Sequence, residues 1–220
     1  MPIILAAVVL LIALIVYVAR YFIATTQQSV DNDTFAEGGA ANEWGITHDS
    51  ATVRLVNIGD RHAKALTTIT SRPETMKSVG DGRPWTPTKV RRFIKYNREE
   101  QQQGSDRENY YWGIEMDRRL IGVVGIHPVD YGRPKTKGLF FVTIFLEPVA
   151  TGKGFGKVAL SDALERFWGT RSDPVYADVR KDNIASAALM ERLEFKKIQS
   201  VKIRGRPVSR YRKDKPPTAV

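Results

Sequence analysis

The stretch EPVATGKGFGKV, Glu147 to Val158, sets three glycines, Gly152, Gly154 and Gly156, at alternate positions. An apolar strand-like run, Gly138 to Leu146, precedes them and a helix-like run, Lys157 to Trp168, follows. Such a turn leaves several backbone N–H groups unpaired at a helix N-terminus, where they can hold a phosphate or pyrophosphate. Glycine also serves turns that bind nothing. A Walker A loop needs a glycine where Thr151 stands and Ser or Thr where Val158 stands. The dinucleotide fingerprint needs its third glycine at Lys157. Neither fits, and an anion cradle of the form x-x-G-x-G/A is what remains.

Upstream of the cradle, GLFFVTIFL (138–146) is almost wholly apolar, as expected of a central strand covered on both faces. NYYWGIEM (109–116) and LIGVVGI (120–126) flank a polar turn and read as an antiparallel hairpin. Thr86-Pro-Thr-Lys supplies a cap and an N-terminal proline for a helix through about Gln102. TVRLVNI (52–58) alternates as a strand, and Asp60 opens a helix to about Thr70. Downstream lie a helix over VALSDALERFW, a strand at PVYADVR (174–180) and a helix from Asn183 to Leu193. A closing hairpin, Phe195 to Ile203 and Val208 to Arg212, turns at Arg204-Gly-Arg-Pro. The expected order is β-α-α-β-β-β-α-β-α-β-β, with no internal repeat.

The 220 residues suffice for one well-cored domain plus an appendage, and 42% hydrophobic with 26% charged is ordinary globular composition. There is no cysteine, which excludes disulfides, thiolate metal sites and a cysteine nucleophile. The three histidines lack metal-ligand spacing, so no metal is expected. The net charge of +10 is concentrated late: Lys196 to Lys213 holds eight basic residues and no acidic one. It reads as a solvated edge hairpin with gatekeeper charges. With no aromatic stacking platform there beyond Tyr211, nucleic acid is not an expected partner.

Ile3 to Ala19 is an unbroken apolar run, IILAAVVLLIALIVYVA, continued after Arg20 by Tyr21, Phe22 and Ile23. As a helix it reaches about 30 Å, enough to span a bilayer's hydrocarbon core. A cleaved signal peptide would carry a positive n-region, and only Met1 and Pro2 precede this run. The expectation is a single-pass anchor over 1–24 that meets the lipid bilayer through residues 3–23. A flexible linker over 25–51 follows, then a folded domain over 52–212 and a disordered tail over 213–220. Arg20 and the acidic linker weakly place the domain on the cytoplasmic side.

Two motifs make the domain specific. LEPVATGKGFGKVAL resembles the L-x-P-x-x-(Q/R/W)-G-x-G signature of the GNAT superfamily of N-acetyltransferases, whose loop holds the coenzyme A pyrophosphate. DNIASAALMERLEF resembles that family's next block. The front half, RLVNIGDRHAKAL and YYWGIEMDRRLIGVVGIHPVD, looks like the branch containing ribosomal-protein N-terminal acetyltransferases. The resemblance implies an α/β fold with a central mixed sheet of about six to seven strands and about four helices. It also implies acetyl-CoA as co-substrate and an amine acceptor: a protein N-terminus, a lysine or a small amine. A second implication is kept beside it, a catalytically weak protein of the same fold serving as a membrane-anchored scaffold with assembly partners.

Roles follow from that resemblance by position. The N–H groups of Thr151, Gly152, Lys153, Gly154, Phe155 and Gly156 would receive the pyrophosphate, with Lys153 a nearby cation. The edges of Phe145 and Leu146 would pair with the pantetheine amides, Thr143 and Ile144 would line the acyl end, and Asn183 and Ser186 would face the pantetheine arm. Asn183 can equally be a plain helix cap. The implied chemistry is direct attack of an amine on the thioester, which needs a proton acceptor, an oxyanion donor and a proton for the leaving thiolate. The family's Tyr acid is Met190 here, with Ser186 a substitute donor to sulfur. Its fourth-strand carboxylate falls at about Phe141. Glu115, His127, Asp130 and Asp178 are the remaining base candidates, and His127 has the most suitable unperturbed pKa.

Overall fold

The computed structural model describes residues 53–129 and 139–217. The expected anchor, the linker, Thr52 and Asp130 lie outside the described residues. Among the described residues no helix is long and apolar enough to cross a membrane.

The chain runs β1 (Val53–Val56), a 3-10 turn (Asp60–His62), α1 (Ala63–Thr70), α2 (Pro73–Met76), α3 (Pro87–Gln102), β2 (Tyr110–Met116), β3 (Arg119–Pro128) and β4 (Phe140–Leu146). It continues through α4 (Phe155–Thr170), β5 (Val175–Arg180), α5 (Ile184–Arg192), β6 (Lys196–Ile203) and β7 (Arg206–Lys213). Local chemistry sets the ends. Thr86 Oγ1 accepts the Lys89 N–H and Pro87 opens α3. The turn between β2 and β3 is two residues, Asp117 and Arg118, both at positive φ, which matches strand twist. Five α-helices stand where about four are expected; the extra one, α2, is a single turn started by Pro73.

The seven strands form one mixed sheet in the order β1-β2-β3-β4-β5-β7-β6. Every neighbouring pair is antiparallel except β4 and β5, which pair in parallel at only two positions, Phe140 with Val175 and Phe141 with Tyr176. Beyond them the two strands diverge. β4 is the expected central strand of a sheet covered on both faces, but Val142, Thr143 and Ile144 are only half-buried where β5 leaves them.

Two cores sandwich the sheet. One packs α4 and α5 on Tyr110, Ile114, Val124, Ile126, Val175 and Ala177, with Leu160 and Phe167 fully buried. The other packs α1 and α3 on Leu120, Val123 and Phe145. Each buried Leu or Phe of this kind contributes about 1.5–3 kcal/mol. β7 runs one residue past the expected boundary, and Lys215 Nζ donates to the carbonyl oxygens of Trp168 (2.6 Å) and Arg171 (3.3 Å). A cation at those last carbonyls complements the negative end of α4. β6 is the sheet's edge strand and largely exposed.

Candidate active site

The cradle sits between the end of β4 and the start of α4. Gly152 (φ 75) and Gly154 (φ 82) both take the left-handed conformation, and Gly154 is the N-cap of α4. A Cβ built on either would meet nothing within 4 Å, so glycine is there for its backbone and not for lack of room. The Lys157 and Val158 N–H groups turn back to the Gly154 carbonyl at 2.9 and 3.3 Å. Outside their own helix, the N–H groups of Gly152 through Gly156 meet no backbone acceptor among the described residues. Phe155 contributes only its N–H, because its side chain is in the core. Thr151 is a correction: its N–H and Oγ1 both donate to the Pro148 carbonyl, at 3.2 and 2.7 Å, so it shapes the loop and its N–H is spent. Lys153 is exposed beside the loop. Arg119 Nη1 donates to Glu147 Oε2 at 3.0 Å and fixes the loop's entry to β3.

From the cradle the gap between β4 and β5 runs back about 16 Å to the fork at Phe141, at the usual rise per strand residue. Glu147 N–H donates to the Ile121 carbonyl at 2.8 Å. Backbone groups alternate sides along a strand, so Phe145 and Thr143 also point theirs at β3, and Leu146 and Ile144 point theirs into the gap. The backbone of Leu146, and that of Ile144, expected at the acyl end, thus faces the gap, whereas Phe145 sends its backbone to β3 and its side chain into the α1/α3 core. The ideal Cβ of Gly156 would lie 3.7–3.8 Å from Leu146, Leu189 and Ile144, which puts the α4 N-terminus against the gap. Asn183 caps α5 by accepting the Ser186 N–H at 3.2 Å, and both side chains are half-buried at that helix start. Met190 is buried in the α4/α5 core.

On the other sheet face an aromatic row approaches the fork. Trp85 meets Phe93 (5.1 Å between ring centroids), Phe93 meets Tyr111 edge-on (5.1 Å), and Tyr111 stacks on His127 (5.1 Å, 26° between planes). His127 Nδ1 is 2.9 Å from the Pro128 carbonyl oxygen and Nε2 is 2.9 Å from Thr143 Oγ1. A carbonyl only accepts, so Nδ1 carries the proton and Nε2 accepts from the Thr143 hydroxyl. Burial pushes the imidazole below its ordinary 6.5, against the pull of the Pro128 carbonyl.

The other base candidates are engaged elsewhere. Glu115, buried at the β1 side of the sheet, takes Arg54 Nη2 (2.9 Å), Arg61 Nη2 (3.4 Å) and His62 Nε2 (3.0 Å). Burial raises its pKa, but the His62 and Arg54 hydrogen bonds and the Arg61 charge outweigh it and hold the carboxyl below 4.5. It anchors a concavity of about 550 Å³ lined by Arg54, Arg61, Arg118 and Leu120, which lies between the 3-10 turn and α1 start and strands β1, β2 and β3, not at the fork. Asp178 accepts two hydrogen bonds from Arg210, at 2.7 and 2.8 Å, and Arg210 lies over Phe141. Among the described residues no group of three or more His, Cys, Asp and Glu is placed to hold a metal ion.

Sequence reasoning did not pair His127 with Thr143 or see the aromatic row. The separations set by β2, β3 and β4 depend on strand register, which the loop lengths leave open.

The described residues thus combine a glycine nest at a helix N-terminus with an open strand edge leading to a fork. Among curated proteins the chain is 30% identical over 125 residues to the N-alpha-acetyltransferase RimI of Mycobacterium tuberculosis, covering 57% of this chain and 69% of that one. Among solved structures it resembles an acetyl transferase of Salmonella typhimurium that modifies the N-terminal serine of a 50S ribosomal subunit protein (TM-score 0.61, 16% identity, 75% of this chain and 96% of that one). It also resembles RimL in complex with coenzyme A (TM-score 0.59, 16% identity, 74% and 94%) and the acetyltransferase MccE in complex with acetyl-CoA and AMP (TM-score 0.58, 15% identity, 74% and 92%). At these identities the structural matches speak to the fold. The model of the acetyltransferase (GNAT) domain matches residues 52–196, well over half of the chain, and the protein belongs to that family.

Proposed function

We propose that the protein transfers the acetyl group of acetyl-CoA to the α-amino group of a protein N-terminus. The observation that carries this is the divergence of β4 from β5, which turns the backbone groups of Ile144 and Leu146 into an open gap whose far end is the glycine nest. The N–H groups of Gly152 through Gly156 receive the pyrophosphate, helped by the α4 N-terminus and Lys153. The gap's two open backbone positions meet the pantetheine amides, which orients the thioester at the fork. Holding amine and thioester in that geometry supplies much of the rate by itself. The α-amino acceptor is supported by the names of the relatives, one an N-alpha-acetyltransferase and one a modifier of an N-terminal serine.

The apolar run Ile3 to Ala19 supports a membrane tether with this domain on the cytoplasmic side, where acetyl-CoA is made. A second reading, a weakly active scaffold of the same fold, draws on the buried Met190 and the spent Thr151 N–H.

Calorimetric titration of acetyl-CoA into the full chain in detergent separates the two. Binding in the micromolar range, with acetylation of peptides bearing a free N-terminal Ser or Ala and none of their N-blocked copies carrying lysine, supports the α-amino transferase. Absence of binding at high micromolar acetyl-CoA overturns it.

A further inference from the structure

The resemblance places the family's carboxylate at Phe141, which cannot accept a proton. In the sheet, Phe141 is the direct cross-strand partner of His127, and Gly125 is that of Thr143. Cross-strand partners project on the same face. The imidazole therefore lies on the same face and at the same height as the missing carboxylate, one strand over. It reaches back toward β4, because Nε2 accepts from Thr143 Oγ1 at 2.9 Å. Thr143 is one of the three half-buried residues where β4 parts from β5, and the imidazole backs its hydroxyl.

We infer that Thr143 and His127 form a two-step proton relay that takes the proton from the acceptor's ammonium. This rests on the acetyl-transfer reading above. The ammonium gives a proton to Thr143 Oγ as that hydroxyl gives its own to His127 Nε2. The freed nitrogen lone pair attacks the thioester carbonyl carbon, a C–N bond forms and the carbonyl π pair moves to oxygen. When the tetrahedral adduct collapses the C–S bond breaks, the thiolate takes a proton from the adduct's NH2+ group, and His127 later releases the first proton to water. No other reactant is required.

The surroundings suit an acceptor that is neutral at rest. Tyr111 on β2 stacks on one side of the ring, and burial raises its phenol's pKa, keeping it un-ionised. Phe141 and Thr143 face the ring from β4, and the Pro128 carbonyl accepts a hydrogen bond from Nδ1–H. The charged pair Asp178–Arg210 lies beyond Phe141. The ring's tautomer is thus fixed by its neighbours with the basic nitrogen toward the hydroxyl.

Three variants test the relay, with acetyl-CoA and the peptide with a free N-terminal Ser or Ala as substrates. Thr143→Val keeps the volume and removes the hydroxyl. It should lower kcat/KM by about 100-fold, within the range for a lost general base, and leave acetyl-CoA affinity within about twofold. Thr143→Ser should recover to within about fivefold of the parent. With the imidazole as proton acceptor the parent's acid limb should lie below pH 6.5, and His127→Gln should move it up to the amine's own ionisation, about pH 8. A Thr143→Val enzyme as active as the parent, or a His127→Gln enzyme whose acid limb stays where the parent's lies, overturns the relay while acetyl-CoA binding still stands. A parent chain that fails to bind acetyl-CoA overturns the acetyl-transfer reading and the relay with it.

Discussion

His62 Nε2 stands 3.0 Å from Glu115 Oε1, with both side chains buried. The Gly59 N–H donates to the other ring nitrogen at 3.0 Å, and Arg61 Nε lies 2.9 Å from Nε2, so ring and guanidinium reach the carboxylate together. Glu115 thereby fastens the 3-10 turn before α1 to β2. Removing one partner of a buried ionic cluster costs about 3–5 kcal/mol, and since Arg54 and Arg61 are more than half exposed here, Glu115→Ala should cost about 2–3 kcal/mol. Urea unfolding measures it. Acetyl-CoA affinity of the folded fraction should not change; a tenfold loss would return Glu115 to the site.

The same cluster sets a pH dependence. A carboxyl held below its ordinary 4.5 contributes stability that is fully present above that pH and lost as pH falls through the lower folded value. The unfolding midpoint of the parent should therefore fall faster below pH 4.5 than that of Glu115→Gln. Parallel curves would show that the cluster does not depress this group.

Gly154 offers a cleaner probe of the nest. At φ 82 any L side chain is strained by about 1–2 kcal/mol, yet its Cβ would meet nothing within 4 Å. Gly154→Ala should therefore fold with modestly reduced stability and bind acetyl-CoA at least tenfold more weakly, as the methyl and any backbone shift disturb the anion space. Affinity unchanged in calorimetry would move the pyrophosphate elsewhere.

Much of this architecture is written locally. Thr86 and Pro87 announce α3, the glycines announce the nest, and PVYADVR alternates as β5 does, with Val175, Ala177 and Val179 buried. What is not local is not legible. GLFFVTIFL reads as a strand buried throughout, because a chain that lines a ligand gap is as apolar as one that lines a core; only the divergence of β5 exposes its middle. Glu115 looks like a free carboxylate until residues 53 to 61 positions away close on it. The helix α2 is too short to show a period.

One backbone position has a cost in stability. Glu194 adopts φ 59 at the end of α5, and the Phe195 N–H closes on the Met190 carbonyl at 2.9 Å. That is the left-handed position glycine fills without steric cost. Glu194→Gly should stabilise by about 0.5–1 kcal/mol, the relief of strain being partly offset by the freer unfolded chain. The lost contact to Lys213 at 3.4 Å is exposed and worth little. A lower Tm for Glu194→Gly would mean that the ion pair outweighs the backbone.

The ring that backs the relay gives the last prediction. A Cβ on Gly125 would fall 2.2 Å from Tyr111 Cδ1 and 2.4 Å from Cε1, too close for any real contact. Tyr111 has nowhere easy to go, with Phe93 against its edge and His127 against its face. Gly125→Ala should therefore push the ring off His127, costing about 1–3 kcal/mol of stability, as overpacking does. It should also lower kcat/KM while acetyl-CoA affinity holds. Tyr111→Ala removes the clashing atoms, so in that background Gly125→Ala should cost almost nothing. The double-mutant cycle should give a coupling about as large as the single cost. Additive costs would place the strain of Gly125→Ala in the β3 backbone, and Tyr111 would lose its part in seating the imidazole.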